Sequence, residues 1–247
     1  MPAKAMITRM DQIPTPTDRG THQATRLLTW LSPSFPVGAF SYSHGIEYAI
    51  EAGLIHDQAS LAIWIDGILR FGAGRNDGLL LLAAYRATWA HDLPGLIVVA
   101  RQAAAVRGTM ELAQEASAQG AAFLKAIAGG WPQYADVPAV KALATAGCAI
   151  TYPVIVGALC ATAGIEEPVA LEAYLTAFAN NLISAGIRLV PLGQSDGLRA
   201  VALLEPRIAS YVETLASLSL DDLGGAALAV DWSSMKHETQ YTRLFRS

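Results

Sequence analysis

The sequence predicts an all-α protein, a single compact bundle of about ten helices that ends in an interface-forming C-terminal tail. Three observations carry this. Apolar residues recur every three or four positions through most of the 247 residues. Alternating apolar and polar stretches are missing, and the β-branched clusters Ile97-Val98-Val99 and Val154-Ile155-Val156 sit in helix-like surroundings. No fixed-period repeat is visible, which disfavours a solenoid.

The elements follow in order. Thr21 is placed to cap a first helix with Leu27, Leu28 and Leu31 on its apolar face, stopped by Ser32-Pro33. A loop, 32–41, leads into a short helix from Ser43 to Ala52 with Gly53 as its stop. Asp57 is an N-cap candidate for a helix from Ala59 to Phe71, where Leu61, Ile65, Ile68 and Leu69 keep helical spacing. Gly72 and Gly74 close it. Asp77 to Ala90 is helical, and its four consecutive leucines predict burial on most sides. Leu96 to Val106 and Thr109 to Ile127 follow. In the second, Leu112, Ala116, Ala122, Phe123 and Ile127 oppose a polar face of Glu111, Glu115 and Gln119. Gly129 to Pro132 reads as a loop. Ala139 to Ala149 and Val154 to Ala163 form a buried pair. Pro168 opens a helix reaching Arg188, Pro191 opens one reaching Leu204, and Pro206 opens one reaching about Leu218.

Three regions result: 1–20 as a disordered leader, 21–224 as the helical domain and 225–247 as the tail. The leader has no apolar run of signal-peptide type, which points to a cytoplasmic protein. The net charge of −4 and the lack of any Lys/Arg cluster argue against nucleic acid. Residues 142–165 carry no charge and are long enough to span a bilayer. Their Ala, Gly and Thr content, Pro153 and Gly157 favour a buried helix pair over a membrane span. Cys148 and Cys160 read as small buried hydrophobes. Charged residues make up 15% of the chain, against roughly 25% in average domains, so part of the apolar excess is expected to face other protein.

Catalytic and cofactor motifs are absent. Phe71-Gly-Ala-Gly-Arg75 follows a helix rather than a strand, so it does not fit phosphate binding. His44 with Glu47, and His237 with Glu238, are the metal candidates. Neither builds a set of three or four ligands, so no metal site and no tightly bound cofactor is expected. His44 reads instead as bonding a loop backbone. Two loops are more specified than connectors need to be. One runs from Leu31 to Glu47 with Pro36, Gly38, Phe40, Ser41 and Tyr42; there Gly38 permits a tight bend, Ser41 and Ser43 are potential caps, and Phe35, Phe40 and Tyr42 would pack over it. The other runs from Arg188 to Gly197 with Pro191, Gly193, Gln194, Asp196 and Gly197, beside Asn180, Asn181 and Ser184. The tail from Met235 to Ser247 carries Tyr241, Leu244 and Phe245 with Lys236, Arg243 and Arg246. Aromatics and arginines dominate interface energetics. So few residues cannot bury those anchors among themselves, and they need a groove on this domain or on a partner.

Together these segments resemble the urease accessory protein F (UreF) family. The first loop is similar to its Leu-Ser-Pro-x-x-Pro-Val-Gly-x-Phe-Ser-Tyr-Ser-x-Gly-x-Glu motif, and the second to Val-Pro-Leu-Gly-Gln-[Ser/Thr]-Asp-Gly at Val190 to Gly197. The tail is similar to His-Glu-Thr-Gln-Tyr-[Ser/Thr]-Arg-Leu-Phe-x-Ser at His237 to Ser247. Weaker echoes lie at Arg107 to Leu124 and Pro153 to Gly157. Two positions depart: Gly186 stands where alanine is expected, and Leu198 where a polar residue is.

The resemblance implies a non-catalytic, homodimeric helical protein that serves nickel insertion into urease apoprotein. It would bridge a D/H-type accessory protein and a G-type GTPase, with nickel handled by the complex. The tail would order against the D/H-type partner. Arg188, His237, Glu238, Tyr241, Arg243, Leu244, Phe245 and Arg246 are then the expected partner-binding residues. Two further readings stand beside this scaffold: a GTPase-activating regulator using Arg243 or Arg188 in trans, and a helical small-molecule-binding protein or plain adaptor outside urease maturation.

Overall fold

The computed structural model describes residues 22–247. Thr21 and the leader 1–20 lie outside the described residues. No strand occurs among the described residues. Helix α1 spans Gln23–Trp30, and Ala39–Ser41 forms a 3-10 turn. Then come α2 (Ile46–Glu51), α3 (Gln58–Phe71), α4 (Ala73–Trp89), α5 (Leu93–Ala105) and α6 (Met110–Gly130). They are followed by α7 (Pro132–Ala135), α8 (Pro138–Ala144), α9 (Tyr152–Thr162) and α10 (Glu167–Leu189). After α11 (Gln194–Ala216) and a 3-10 turn at Leu220–Asp222, α12 spans Leu228–His237.

Helix α9 is the centre. Every residue from Pro153 to Ala161 is buried, and its broadest contact is with α4, followed by α6. Gly157 sets the α4–α9 spacing: a Cβ there would stand 2.3 Å from the Leu81 carbonyl oxygen. Pro153 does not break α9, because it lies in the first turn, where the missing N–H has no helical partner to lose. Around this axis α3 buries Leu61, Ile65, Ile68 and Leu69, each contributing roughly 1.5–3 kcal/mol. Asp57 caps α3 by accepting from the Ser60 backbone N–H at 2.8 Å. Gly186 lets α10 approach that stripe, since a Cβ there would lie 2.5 Å from Leu61 Cδ2.

Several boundaries differ from expectation. Gly72 is a single-residue break, and α4 begins at once at Ala73. Gly74 therefore sits inside the first turn of α4, where a Cβ would press within 2.8 Å of Leu69 Cα. Gly129 and Gly130 complete α6 rather than forming a loop. The expected helix to Ala149 ends at Ala144. Pro206 lies within α11 instead of starting a new helix; Pro206 and Ala202 are both exposed, so the carbonyl the proline leaves free is accessible to solvent. The segment read wholly as tail, 225–247, contains α12. Leu28 and Phe40 face solvent rather than the core.

The interior also holds charge. Arg107 Nη1 donates to Asp77 Oδ1 at 2.7 Å, and the Tyr174 hydroxyl donates to Asp77 Oδ2 at 2.9 Å. Burial opposes the Arg107 charge, but Asp77 outweighs it and holds the guanidinium above its ordinary range. Burial first, and Asp77 second, push the Tyr174 hydroxyl well above its usual range. Among the described residues no helix is long and apolar enough to cross a membrane. Cys160 is buried and Cys148 partly so, and both are free thiols.

Candidate functional site

The site is a polar clasp that α2, α6 and the loop before α2 close around the segment 237–247. Its shape begins with backbone. His44 (φ 58°) and Gly45 (φ 78°) are successive left-handed residues, and the backbone of α12 passes so close that a Cβ on Gly45 would stand 2.8 Å from Ser234 N. Only glycine fits there. The turn directs Ser43 and Glu47 toward the tail.

Glu47 is buried and has three polar partners. Its Oε1 accepts the Leu244 backbone N–H at 2.7 Å, and its Oε2 accepts that of Phe245 at 2.9 Å. The same Oε2 lies 3.2 Å from Nε2 of His237, which is fully buried. The other ring nitrogen, Nδ1, lies 2.7 Å from Glu111 Oε2. Both nitrogens thus face carboxylate oxygens, and the ring links α2 to α6. Glu111 Oε1 also accepts from Arg243 Nη1 at 2.8 Å.

One helical turn on, Glu115 Oε2 accepts from the Ser247 hydroxyl at 2.8 Å, and Gln119 Nε2 donates to Glu115 Oε1 at 3.1 Å. The backbone N–H of Ser43 donates to the Ser247 main-chain oxygen at 2.9 Å, and the Ser43 hydroxyl donates to the same oxygen. The backbone N–H of Arg246 donates to Ser41 O at 2.8 Å. At the outer edge Arg188 Nη2 donates to Phe40 O at 2.8 Å, and its guanidinium lies 4.5 Å from the centre of the Phe245 ring. Glu238 accepts the Met110 backbone N–H at 2.9 Å and so occupies one free donor at the start of α6.

The expected site residues thus divide. Phe40, Ser41, Glu47, Arg188, His237, Glu238, Arg243, Phe245 and Arg246 come together at the clasp, some through main-chain groups. Phe245 is buried in this chain, so its groove is on its own domain. Tyr241 and Leu244 are exposed, at 103% and 76%. Tyr42 is buried, Pro36 is exposed, and Gly38 (φ 75°) makes the bend. Pro191 does not open a helix but precedes Gly193, the N-cap of α11, whose first turn holds Gln194, Asp196 and Gly197; Asp196 accepts the Gly193 N–H at 2.9 Å. Gly197 packs on α10, since a Cβ there would meet Ile187 Cδ1 at 2.3 Å. Arg188 joins this second loop to the first, and Asn181 on α10 donates to Ala39 O at 3.0 Å.

Two expectations are corrected. Glu111, Glu115 and Gln119 do not form a solvated face: all three are buried, and they line one flank of α6 toward the clasp. Their i, i+4, i+8 spacing was the signal that one surface would receive all three. His44 does not bond a loop backbone through its ring. Neither ring nitrogen has a hydrogen-bond partner among the described residues, although Nδ1 lies 3.4 Å from Glu115 Oε2.

Sequence reasoning also missed an outward stripe. Leu228, Trp232 and Met235, at i, i+4, i+7 on α12, are all exposed, while Val230, Ser233, Ser234 and His237 on the other side are buried. Lys236 lies 4.5 Å from the Trp232 ring centre. Among the described residues no group of three or more His, Cys, Asp or Glu is placed to hold a metal ion.

Fold and site together define an all-helical protein that clasps its own final segment with buried carboxylates and turns the other side of that segment to solvent. The UreF family profile matches residues 55–205, which include Glu111, Glu115 and Arg188. The urease accessory protein UreF of Rhodopseudomonas palustris (strain TIE-1) is 49% identical over 222 residues, 90% of this chain and 91% of that protein. Those of Azorhizobium caulinodans and Methylorubrum populi are 46% and 44% identical, covering 91% of this chain and 95% and 99% of their own lengths. The chain belongs to the UreF family.

Proposed function

We propose that this protein is a cytoplasmic, homodimeric accessory protein of urease maturation, a non-catalytic scaffold in nickel insertion into urease apoprotein. In this reading it binds the D/H-type accessory protein and recruits or regulates the G-type GTPase. Nickel is the cargo of the assembly rather than a resident cofactor. The names of the relatives support the maturation role.

The observation that carries the scaffold reading is the two-sidedness of 228–247. Polar contacts fix one side to the domain, while Leu228, Trp232, Met235, Tyr241 and Leu244 face solvent on the other. Such an apolar, aromatic-bearing surface is the residue mix of an interface anchor. A version in which Arg188 or Arg243 reaches a nucleotide in trans draws less support, because both guanidiniums are engaged within this chain.

The test is copurification of the D/H-type partner with the full chain and with a Trp232→Ala, Tyr241→Ala, Leu244→Ala variant. None of the three side chains is buried, so the melting temperature should stay within a few degrees of the parent. Lost capture with that temperature kept supports the reading. Full capture by the variant overturns this face as the docking surface.

A further inference from the structure

The loop 31–44 and helices α4, α6, α9 and α10 line a partly open cavity of about 170 Å³. Leu112, Ala116 and Phe178 line it with apolar surface, and His44, Arg107 and Glu115 with polar groups. Two of those polar side chains have unmet capacity. Arg107 spends Nη1 on Asp77 and Nε on the Ala103 carbonyl, but Nη2 is buried with no partner among the described residues. Both ring nitrogens of His44 are in the same condition, with the ring edge-on to Phe178 at 5.4 Å. Buried donors without acceptors are costly and rare in folded proteins. Each Glu115 oxygen accepts one hydrogen bond and has room for another.

We propose that this cavity is a binding site for a small neutral amide carrying a short aliphatic arm. The carbonyl oxygen accepts from Arg107 Nη2. The amide N–H groups donate to Glu115 and to the acceptor nitrogen of His44. The arm lies against Leu112, Ala116 and Phe178. A void of about 150 Å³ takes a molecule the size of benzene, which sets the limit near six heavy atoms. Charge selects against the alternatives. Asp77 and Glu115 already exceed the single positive charge of Arg107, so an anion meets net repulsion. A cation offers no acceptor to the guanidinium.

The site also reaches the clasp. Glu115 holds the Ser247 hydroxyl, and the His44 backbone N–H donates to that same oxygen at 3.3 Å. An occupant therefore touches two residues that fix the final segment. This inference stands apart from the scaffold reading, and its test uses the chain alone, so either can fail without the other.

The experiment titrates isotope-labelled full-length protein with propionamide and with its isostere propionate, followed by NMR. Propionamide should give saturable shifts at the lining residues and bind at least about tenfold more tightly than propionate, the cost of one more buried anion beside Asp77 and Glu115. It should also slow amide exchange at Leu244 and Phe245. Arg107→Met removes the carbonyl's donor but strips Asp77 of its partner, so Ala116→Leu is the second variant. It fills the void and leaves every polar group in place, and it should abolish binding with the melting temperature retained. Equal or tighter binding of propionate, no saturation by either compound, or unchanged saturation in Ala116→Leu would overturn the proposal.

Discussion

Glu47 and His237, 190 positions apart in the chain, meet at 3.2 Å, and the same carboxylate holds the backbone of Leu244 and Phe245. One side chain from the second helix thus fixes both the end of α12 and the turns and bends that follow it. The contact is polar throughout, and a carboxylate has the acceptor capacity to receive both backbone N–H groups at once.

Glu47→Gln keeps the shape and removes half of that accepting capacity, because the new amide group points N–H at N–H. The expected loss is roughly 1–3 kcal/mol at the clasp, with little change to the helical core. Hydrogen exchange at Leu244 and Phe245 should accelerate by about tenfold or more while α9 stays protected. Unchanged exchange at those two amides would show that Glu47 does not hold the segment.

Gly157→Ala tests the centre of the fold. The added methyl would meet the Leu81 carbonyl oxygen at 2.3 Å, and that atom is backbone. Helices α4 and α9 must separate, at an expected cost of about 1–3 kcal/mol. The urea midpoint should fall accordingly with an unchanged slope. An unaltered midpoint would mean that the two helices are not packed at this distance.

Burial pushes the Cys160 thiol up to about 12, against about 8.5 for an unperturbed cysteine. Between those values the unfolded chain releases a proton that the folded chain keeps. Stability contributed by this group is therefore present below about pH 8.5 and declines as pH rises above it. Iodoacetamide at about pH 8.5 should label Cys148 alone in the native protein and both thiols in urea. Labelling of both at similar native rates would contradict the burial of α9.

Much of the fold was legible because periodicity reports which residues share a helical face. Leu61, Ile65, Ile68 and Leu69 on α3 are the clear case, and Pro168 and Arg188 bracket α10 closely. Periodicity does not report what a face will meet. Glu111, Glu115 and Gln119 have the pattern of a solvated stripe, and only the arrival of His237, Arg243 and Ser247 from distant sequence makes them interior. Local breakers misled for a related reason. A proline ends a helix where the lost hydrogen bond would be buried, and the exposure of Pro206 on α11 depends on tertiary placement. The tail motif singled out the segment 237–247. It could not show that Phe245 would be spent inward while Tyr241 stays outside.

The bond from the Met110 amide to Glu238 joins residues 128 positions apart. A ribosome delivers the first turn of α6 long before it delivers the side chain that finishes that turn. Throughout that interval Glu47, Glu111 and Glu115 lack the partners that the last residues bring, the backbone N–H groups of Leu244 and Phe245, the Arg243 guanidinium and the Ser247 hydroxyl. Synthesis order is thereby written into the clasp: the helices around α9 can consolidate first, and the corner closes only when the chain has been made through Ser247.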